Sequence, residues 1–231
     1  MTIFKYTLIK GLRNPATLIF NCILPLILIF IRPLWVGEVM PFSGFGLMVM
    51  VIWGGSFFMA QGVLNDKEDG AITRILAAPV SMFRYLSENL LAYMVPLTVQ
   101  IVLVSALSII LYDSGFMLAL AMLICYTTFM ISAVAMSFAW NCMFKSKQSS
   151  FSSFSAVVTF GSFVSGALVP IALFPEGIVQ HIGAILPAYW AVRGMNSYLE
   201  FGFTVEYWVS IIAMLIFAIA FLLFGGKRRM I

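Results

Sequence analysis

The sequence predicts an all-α polytopic membrane protein of six transmembrane helices, with an external re-entrant helical segment before the last of them. Three observations predict this. Of the 231 residues 62% are hydrophobic and only 10% charged, with a mean hydropathy of +1.05, whereas soluble domains average about 45–50% apolar residues. Six apolar runs approach or exceed the ~20 residues that a helix needs to cross the hydrocarbon core of a bilayer. The gaps between the runs alternate between basic and non-basic, as expected where short cytoplasmic loops retain Lys and Arg.

The runs lie at 15–36, 43–64, 85–112, 116–143, 150–172 and 205–224. The first follows a basic stretch with Lys5, Lys10 and Arg13. It lacks the small-residue exit of a cleaved signal, so it is expected to stay in the mature protein. The second ends at Asn65-Asp66-Lys67, and the third and fourth are separated by Asp113. Those two are long enough to tilt or to project beyond the bilayer. The fifth opens in the serine-rich Ser149-Ser150-Phe151-Ser152-Ser153-Phe154-Ser155, and the sixth stops before Gly225-Gly226-Lys227. With no internal repeat, residues 1–231 are expected to form one transmembrane domain.

Orientation follows from the charges. One face receives Lys5, Lys10 and Arg13, then Lys67, Arg74 and Arg84, then Lys145 and Lys147, then Lys227, Arg228 and Arg229, which is eleven of the 13 basic residues. The other receives Arg32 and Arg193 with Glu38, Asp113, Glu176, Glu200 and Glu206. Both termini are therefore expected in the cytoplasm, in a multi-pass protein of the cell's inner (plasma) membrane. The net charge of +4 is a topology signal here, and no nucleic-acid partner is expected. The external connection, 173–204, carries Ile178, Val179, Ile182, Ile185, Leu186, Tyr189 and Trp190, too apolar for a solvated loop. It is expected to fold back into the outer leaflet as broken helices buried by protein.

Several chemistries are disfavoured. Cys22, Cys125 and Cys142 sit in apolar runs without C-x-x-C spacing, and His181 is the only histidine. Neither a disulfide framework nor a metal centre is suggested. Gly225-Gly226-Lys227-Arg228 lacks the spacing and the hydroxyl of a phosphate-binding loop and reads as a basic membrane-edge anchor. The cytoplasmic loop, 65–84, places Asp66, Glu68 and Asp69 before an apolar-periodic run of Ile72, Ile75 and Leu76 that stops at Pro79. This pattern suits a short amphipathic helix along the membrane surface, with acids at its positive end; the plainer alternative is a solvated connector. Asp66-x-x-Asp69-Gly70-x-x-Thr73-Arg74 also approximates the opening of the CDP-alcohol phosphatidyltransferase signature. That chemistry needs more carboxylates to hold its metals, and none follows between Arg74 and Leu86 while no Asp occurs before Asp113.

The run Glu68-Asp69-Gly70-Ala71-Ile72-Thr73-Arg74-Ile75-Leu76-Ala77-Ala78-Pro79-Val80-Ser81 resembles the E-x-G-T-x-E-x-L-x-x-x-P-V-S segment after the second span of ABC type-2 exporter permeases. Ala71 stands where Thr is common and Thr73 where an acid is common, while Glu68, Gly70, Leu76 and Pro79 keep the pattern. Arg13-Asn14-Pro15 with Leu24-Pro25-Leu26 is similar to the lead into the family's first span. Phe174-Pro175, Leu186-Pro187-Ala188-Tyr189-Trp190 and Arg193 are similar to its external re-entrant segment, so Pro175, Pro187, Tyr189, Trp190 and Arg193 are assigned there.

The resemblance implies a transmembrane exporter subunit that hydrolyses nothing itself. A separate ABC ATPase subunit would bind ATP and Mg, and this chain would bind no cofactor. The loop would form a coupling helix docking on that ATPase through Asp66, Glu68, Asp69, Gly70, Ile72, Arg74, Ile75, Leu76 and Pro79. An N-terminal amphipathic helix, about 2–13, would pack beside it, and a second permease copy or homologue would complete the pore. The substrate implied is hydrophobic or amphipathic: a drug, antibiotic, peptide or lipid. The rival function is a stand-alone carrier or channel.

Polar residues inside the runs are Gln61, Asn89, Gln100, Asn141 and the serines at 150–155, and they make no chain of carboxylates or imidazoles for proton relay. Gln100, Asn141, Phe151, Phe154, Ser155, Phe160 and Phe163 are the candidates for a substrate path. Interhelical hydrogen bonding and lipid or core packing are their ordinary alternatives. Gly54, Gly55, Gly62, Gly161, Ser162, Ser165 and Gly166 would allow close helix approach, within the chain or at a dimer seam.

Overall fold

A computed structural model describes residues 2–35, 43–68, 70, 82–169 and 178–227. Its elements are helices, and no strand occurs among the described residues. Helix α1, Thr2–Leu12, is followed by a sharp turn in which the Asn14 side chain accepts a hydrogen bond from the Ala16 N–H at 3.1 Å. Pro15 takes the first helical position, where its missing N–H costs nothing.

The first membrane helix then proceeds in pieces: α2 (Pro15–Leu18), a π-helical stretch (Ile19–Ile23), α3 (Leu24–Phe30) and one 3-10 turn (Arg32–Leu34). Pro25 accounts for the break. It offers no N–H to the carbonyl of Asn21, and its ring crowds that carbonyl. The ladder widens just before it, the Leu24 N–H reaching back five residues to the Ile19 carbonyl, as in a π-bulge. The apolar run predicted for 15–36 is thus helical only in segments, and it meets α1 at a bend of 78°.

The remaining helices among the described residues are α4 (Ser43–Glu68), α5 (Met82–Tyr112), α6 (Gly115–Met143), α7 (Lys147–Val164), α8 (Ile178–Gly183), α9 (Pro187–Phe201) and α10 (Val205–Lys227). Four of them, within α4, α5, α6 and α10, are long and apolar enough to cross a membrane. The bent pair Ile3–Leu12 and Pro15–Phe30 raises the number to five if counted as one span. These agree with the predicted runs at 43–64, 85–112, 116–143 and 205–224 to within a turn. Helix α7 stops at Val164 although the sequence predicts a run to 172. Gly166 adopts φ +81°, and the N–H groups of Ala167 and Leu168 both return to the Ser162 carbonyl at 3.0 and 3.1 Å. A left-handed glycine closing the last turn in this way ends a helix.

Helix α6 is central, packing against α4, α5, α9 and α10. Apolar all round its circumference, it suits a position surrounded by protein. Trp53, Tyr126, Phe129 and Tyr207 are fully buried around it. The two tyrosine hydroxyls donate to backbone carbonyls, Tyr126 to Phe45 at 3.1 Å and Tyr207 to Ala121 at 2.8 Å, so that neither hydroxyl is left unsatisfied by its burial. On the outside, α5 presents Leu91, Val95, Val99 and Ile110, and α10 presents Val209, Ile212, Ile216 and Leu223. Such helical stripes of exposed aliphatic side chains are stable where hydrocarbon is the solvent.

Small residues let α4 approach its neighbours closely. A Cβ on Gly55 would fall on the side-chain oxygen of Asn21 and 3.2 Å from Leu97 Cδ2. Close approach within the chain therefore uses this position.

Candidate functional site at the charged end of the bundle

Helix α4 ends, and α5 and α7 begin, at one end of the bundle, with α1 packed against α4 and α5. Asp66, in the last turn of α4, ties three elements together. Its Oδ1 accepts from Lys10 Nζ of α1 at 2.6 Å, and its Oδ2 accepts from the Tyr85 hydroxyl of α5 at 2.8 Å. The Asp66 side chain is 14% exposed and that of Lys10 34%. Hydrogen bonds to a charged partner in such a half-dry setting contribute about 1.5–3 kcal/mol each. Two further bonds fix α1 on α5: Thr7 Oγ1 donates to Asn89 Oδ1 at 2.5 Å, and the Phe4 N–H donates to Glu88 Oε2 at 3.1 Å. The second places a carboxylate against the unpaired N–H groups of the first turn of α1, the favourable end of its dipole.

Glu68 repeats the arrangement on the other side. Its Oε1 accepts from the Lys147 N–H at 2.8 Å and its Oε2 lies 3.3 Å from Lys147 Nζ. A carboxylate thus caps the N-terminus of α7, although the exposed ion pair itself adds only about 0–1 kcal/mol. Helix α7 is joined to α6 in turn, since Ser150 Oγ donates to Asn141 Oδ1 at 2.9 Å and Asn141 Nδ2 donates to the Ser137 carbonyl at 2.9 Å. Replacing Asn141 by Ala strands the buried Ser150 hydroxyl. It is expected to cost about 1–2 kcal/mol, visible as a lower thermal unfolding midpoint in detergent micelles.

Of the residues expected to contact an ATPase, Asp66 and Glu68 thus stand at the root of the loop, Asp66 bonded to α1 and α5 and Glu68 to α7. Gly70 has φ +64° with open space where a Cβ would be. Asp69, Ile72, Arg74, Ile75, Leu76 and Pro79 lie outside the described residues. Helix α1 covers the residues expected for the N-terminal amphipathic segment, and the loop that segment is expected to pack beside lies largely outside the described residues.

The candidate substrate-path residues divide into four groups. Phe154 is 2% exposed, stacked on Phe57 at 4.1 Å and edge-on to Trp53 and Trp140. Phe151, Phe160 and Phe163 are exposed on α7, and Ser155 is half-buried beside them. Asn141 belongs to the α6–α7 bridge. Gln100 stands apart, in the wall of a cleft of about 420 Å³ between α5, α1 and the broken helix, which none of the other six lines.

Residues 36–227 match the sequence profile described as ABC-2 family transporter protein. The chain belongs to the ABC-2 transporter family. No curated protein matches it. The match covers most of the chain, from the segment before α4 to the end of α10, and identifies a membrane-embedded transporter subunit.

At the opposite end of this ABC-2 transporter, Pro187 starts α9 and Tyr189 is buried beneath it. Trp190 Nε1 donates to the Ala184 carbonyl at 2.9 Å. The Arg193 guanidinium sits 5.7 Å from the Trp190 ring centroid and 3.6 Å from Glu206 of α10. This ion pair is largely exposed and contributes little on its own. Pro175 lies outside the described residues. Tyr85 and Thr7 of the charged cluster, and Asn21 beside Gly55 of α4, were not singled out by the sequence. Asn21 carried a signal, an amide in the middle of an apolar run. Tyr85 and Thr7 carried none, because a tyrosine or threonine at the edge of a span is unexceptional.

Proposed function

We propose that this chain is the transmembrane subunit of an ATP-driven exporter, and that the loop between α4 and α5 receives the force. Membership of the ABC-2 family carries the transporter reading. The Lys10–Asp66–Tyr85 cluster supports the mechanical one. A push delivered to the loop meets a root bonded to α1 and α5 at Asp66 and to α7 at Glu68, so it moves several helices together instead of bending a free loop. In this reading α1 lies on the cytoplasmic surface and both termini are cytoplasmic in the inner membrane. The broken helix and α7 complete six spans, and α8 with α9 forms the re-entrant segment of the outer leaflet. Residues 1–231 act as one domain, paired with a second permease copy or homologue. ATP and Mg bind two separate ATPase subunits, and the cargo is a hydrophobic or amphipathic molecule moved outward.

Glu68→Gln combined with Gly70→Val tests it. The first removes the charge that holds α7; the second forces a β-branched residue into a left-handed backbone, costing about 1–2 kcal/mol. In vesicles carrying the subunit with its ATPase, transport per ATP hydrolysed is expected to fall roughly fivefold or more, the scale of a 1 kcal/mol coupling energy. ATP hydrolysis and membrane insertion are expected to persist. Unchanged transport per ATP in the double variant would remove the mechanism.

A further inference from the structure

Helix α1 has three faces, and they differ in what they meet. The inner face is bonded to the bundle, Thr7 to Asn89 of α5 and Lys10 to Asp66 of α4, with Gly11 lying against Met59. A second face carries Leu8 and Leu12, which share an apolar lining with Val95 and Val99 of α5 and so continue the surface that α5 presents to hydrocarbon. The outer face carries Lys5, Ile9 and Arg13, spaced at i, i+4 and i+8 and therefore on one stripe, with Tyr6 beside it. All four are exposed, Tyr6 by 64% and Ile9 by 42%.

The outer face is cationic without a counter-charge from the chain. The side chains of Lys5 and Arg13 make no ion pair among the described residues, and no Asp or Glu precedes Glu38 in the sequence. The two acids that touch α1 are engaged from its inner side, Asp66 by Lys10 and Glu88 by the Phe4 N–H. The direction of α1 sets the depth of these charges. It meets the segment Pro15–Phe30 at 78°, and that segment exposes Leu18, Ile19 and Ile23. A helix nearly perpendicular to a span, ending just before aliphatic surface begins, lies along the membrane at the level of the headgroups, with Leu8 and Leu12 toward the hydrocarbon.

We propose that the outer face of α1 docks on anionic phospholipid, Lys5 and Arg13 each pairing with a headgroup while Ile9 and Tyr6 settle among them. Charge complementarity and continuity with the hydrocarbon-facing surface both favour this occupant over a protein. Lys10 is held by Asp66, so the lipid contact and the coupling contact use different cations of one helix. This docking goes beyond the exporter reading, and it rests only on α1 lying at the surface of the membrane that the chain spans.

The test uses the full chain in phosphatidylcholine nanodiscs with trace photoactivatable lipids of equal chain length, phosphatidylglycerol or phosphatidylcholine bearing a diazirine next to the headgroup. Phosphatidylglycerol is expected to label residues 2–13 roughly fivefold more than phosphatidylcholine, the ratio to which ~1 kcal/mol per basic side chain corresponds. Lys5→Gln with Arg13→Gln is expected to abolish that preference, and Lys5→Arg with Arg13→Lys to keep it. Salt at about 1 M, where charges are screened beyond roughly 3 Å, is expected to shrink it in the wild type, and this arm serves if the Gln variant does not fold. Labelling of residues 209–223 on α10 reports embedding in the bilayer separately. Equal labelling of residues 2–13 by both lipids, survival of the preference in the Gln variant or in high salt, or an unlabelled α1 beside a labelled α10 would each overturn the proposal and leave the exporter reading standing.

Discussion

Lys10→Asp is expected to abolish transport, and Asp66→Lys in the same chain to restore much of it. In the wild type the ammonium of Lys10 lies 2.6 Å from one oxygen of Asp66. Reversing Lys10 alone sets two carboxylates against each other in a setting where the partner is only 14% exposed. At an effective dielectric of ~20, like charges about 4 Å apart repel by roughly 4 kcal/mol. Ions screen this weakly because the carboxylate is mostly enclosed. Helix α1 would retain its Thr7–Asn89 and Phe4–Glu88 bonds, so it should stay attached to α5 but part from α4. That separates loss of coupling from loss of folding. Transport of Lys10→Asp is expected to drop on the order of 100-fold, as a lost coupling of about 3 kcal/mol requires, with normal membrane abundance. In the double reversal the Tyr85 hydroxyl can accept from the new lysine and the ion pair re-forms. Wild-type transport in either single variant, or a double variant no better than the singles, would show that the pair is a surface contact only.

The elements legible in the sequence are those set by composition over a long window. The runs at 43–64, 85–112, 116–143 and 205–224 became α4, α5, α6 and α10 because a bilayer accepts such runs only as helices that satisfy their own backbone. The breaks were less legible. Pro25 was visible, but whether a proline kinks, stops or widens a helix depends on what relieves the carbonyl four residues earlier. Here a π-helical turn does so, with Gly55 making room for it. The end of α7 turned on Gly166, one of several glycines that looked alike in the sequence. In the charged cluster, Asp66 and Glu68 were legible as members of a motif, whereas Lys10 lies 56 residues away from its partner Asp66, and Lys147 lies 79 residues from Glu68. Pairings of that range come from helix packing, which a single chain's local pattern does not encode. Asn141, one of several polar residues weighed for substrate contact, bridges α6 and α7, while Gln100 has no such bond among the described residues.

Gly55→Leu is expected to prevent stable folding, and Gly55→Ala to weaken it measurably. The position faces the Asn21 side chain on the broken helix and Leu97 on α5, so three helices converge on a site with no space for a methyl group. Overpacking of this kind costs typically about 1–3 kcal/mol, and a leucine adds three further carbons to the same collision. For a chain of this size each kcal/mol lowers the unfolding midpoint by roughly 2–4 °C. Gly55→Ala in detergent micelles should therefore melt several degrees below wild type, with Gly55→Leu failing to accumulate. The clash is with the Asn21 amide in particular, which has no hydrogen-bond partner to lose among the described residues. Asn21→Ala is therefore expected to be neutral or stabilising by itself and to recover most of the loss in Gly55→Ala. Neighbouring sites that share one collision must be non-additive. If the two substitutions proved additive, α4 would not approach the broken helix at Gly55, and the cleft wall that Asn21 forms would lose its support.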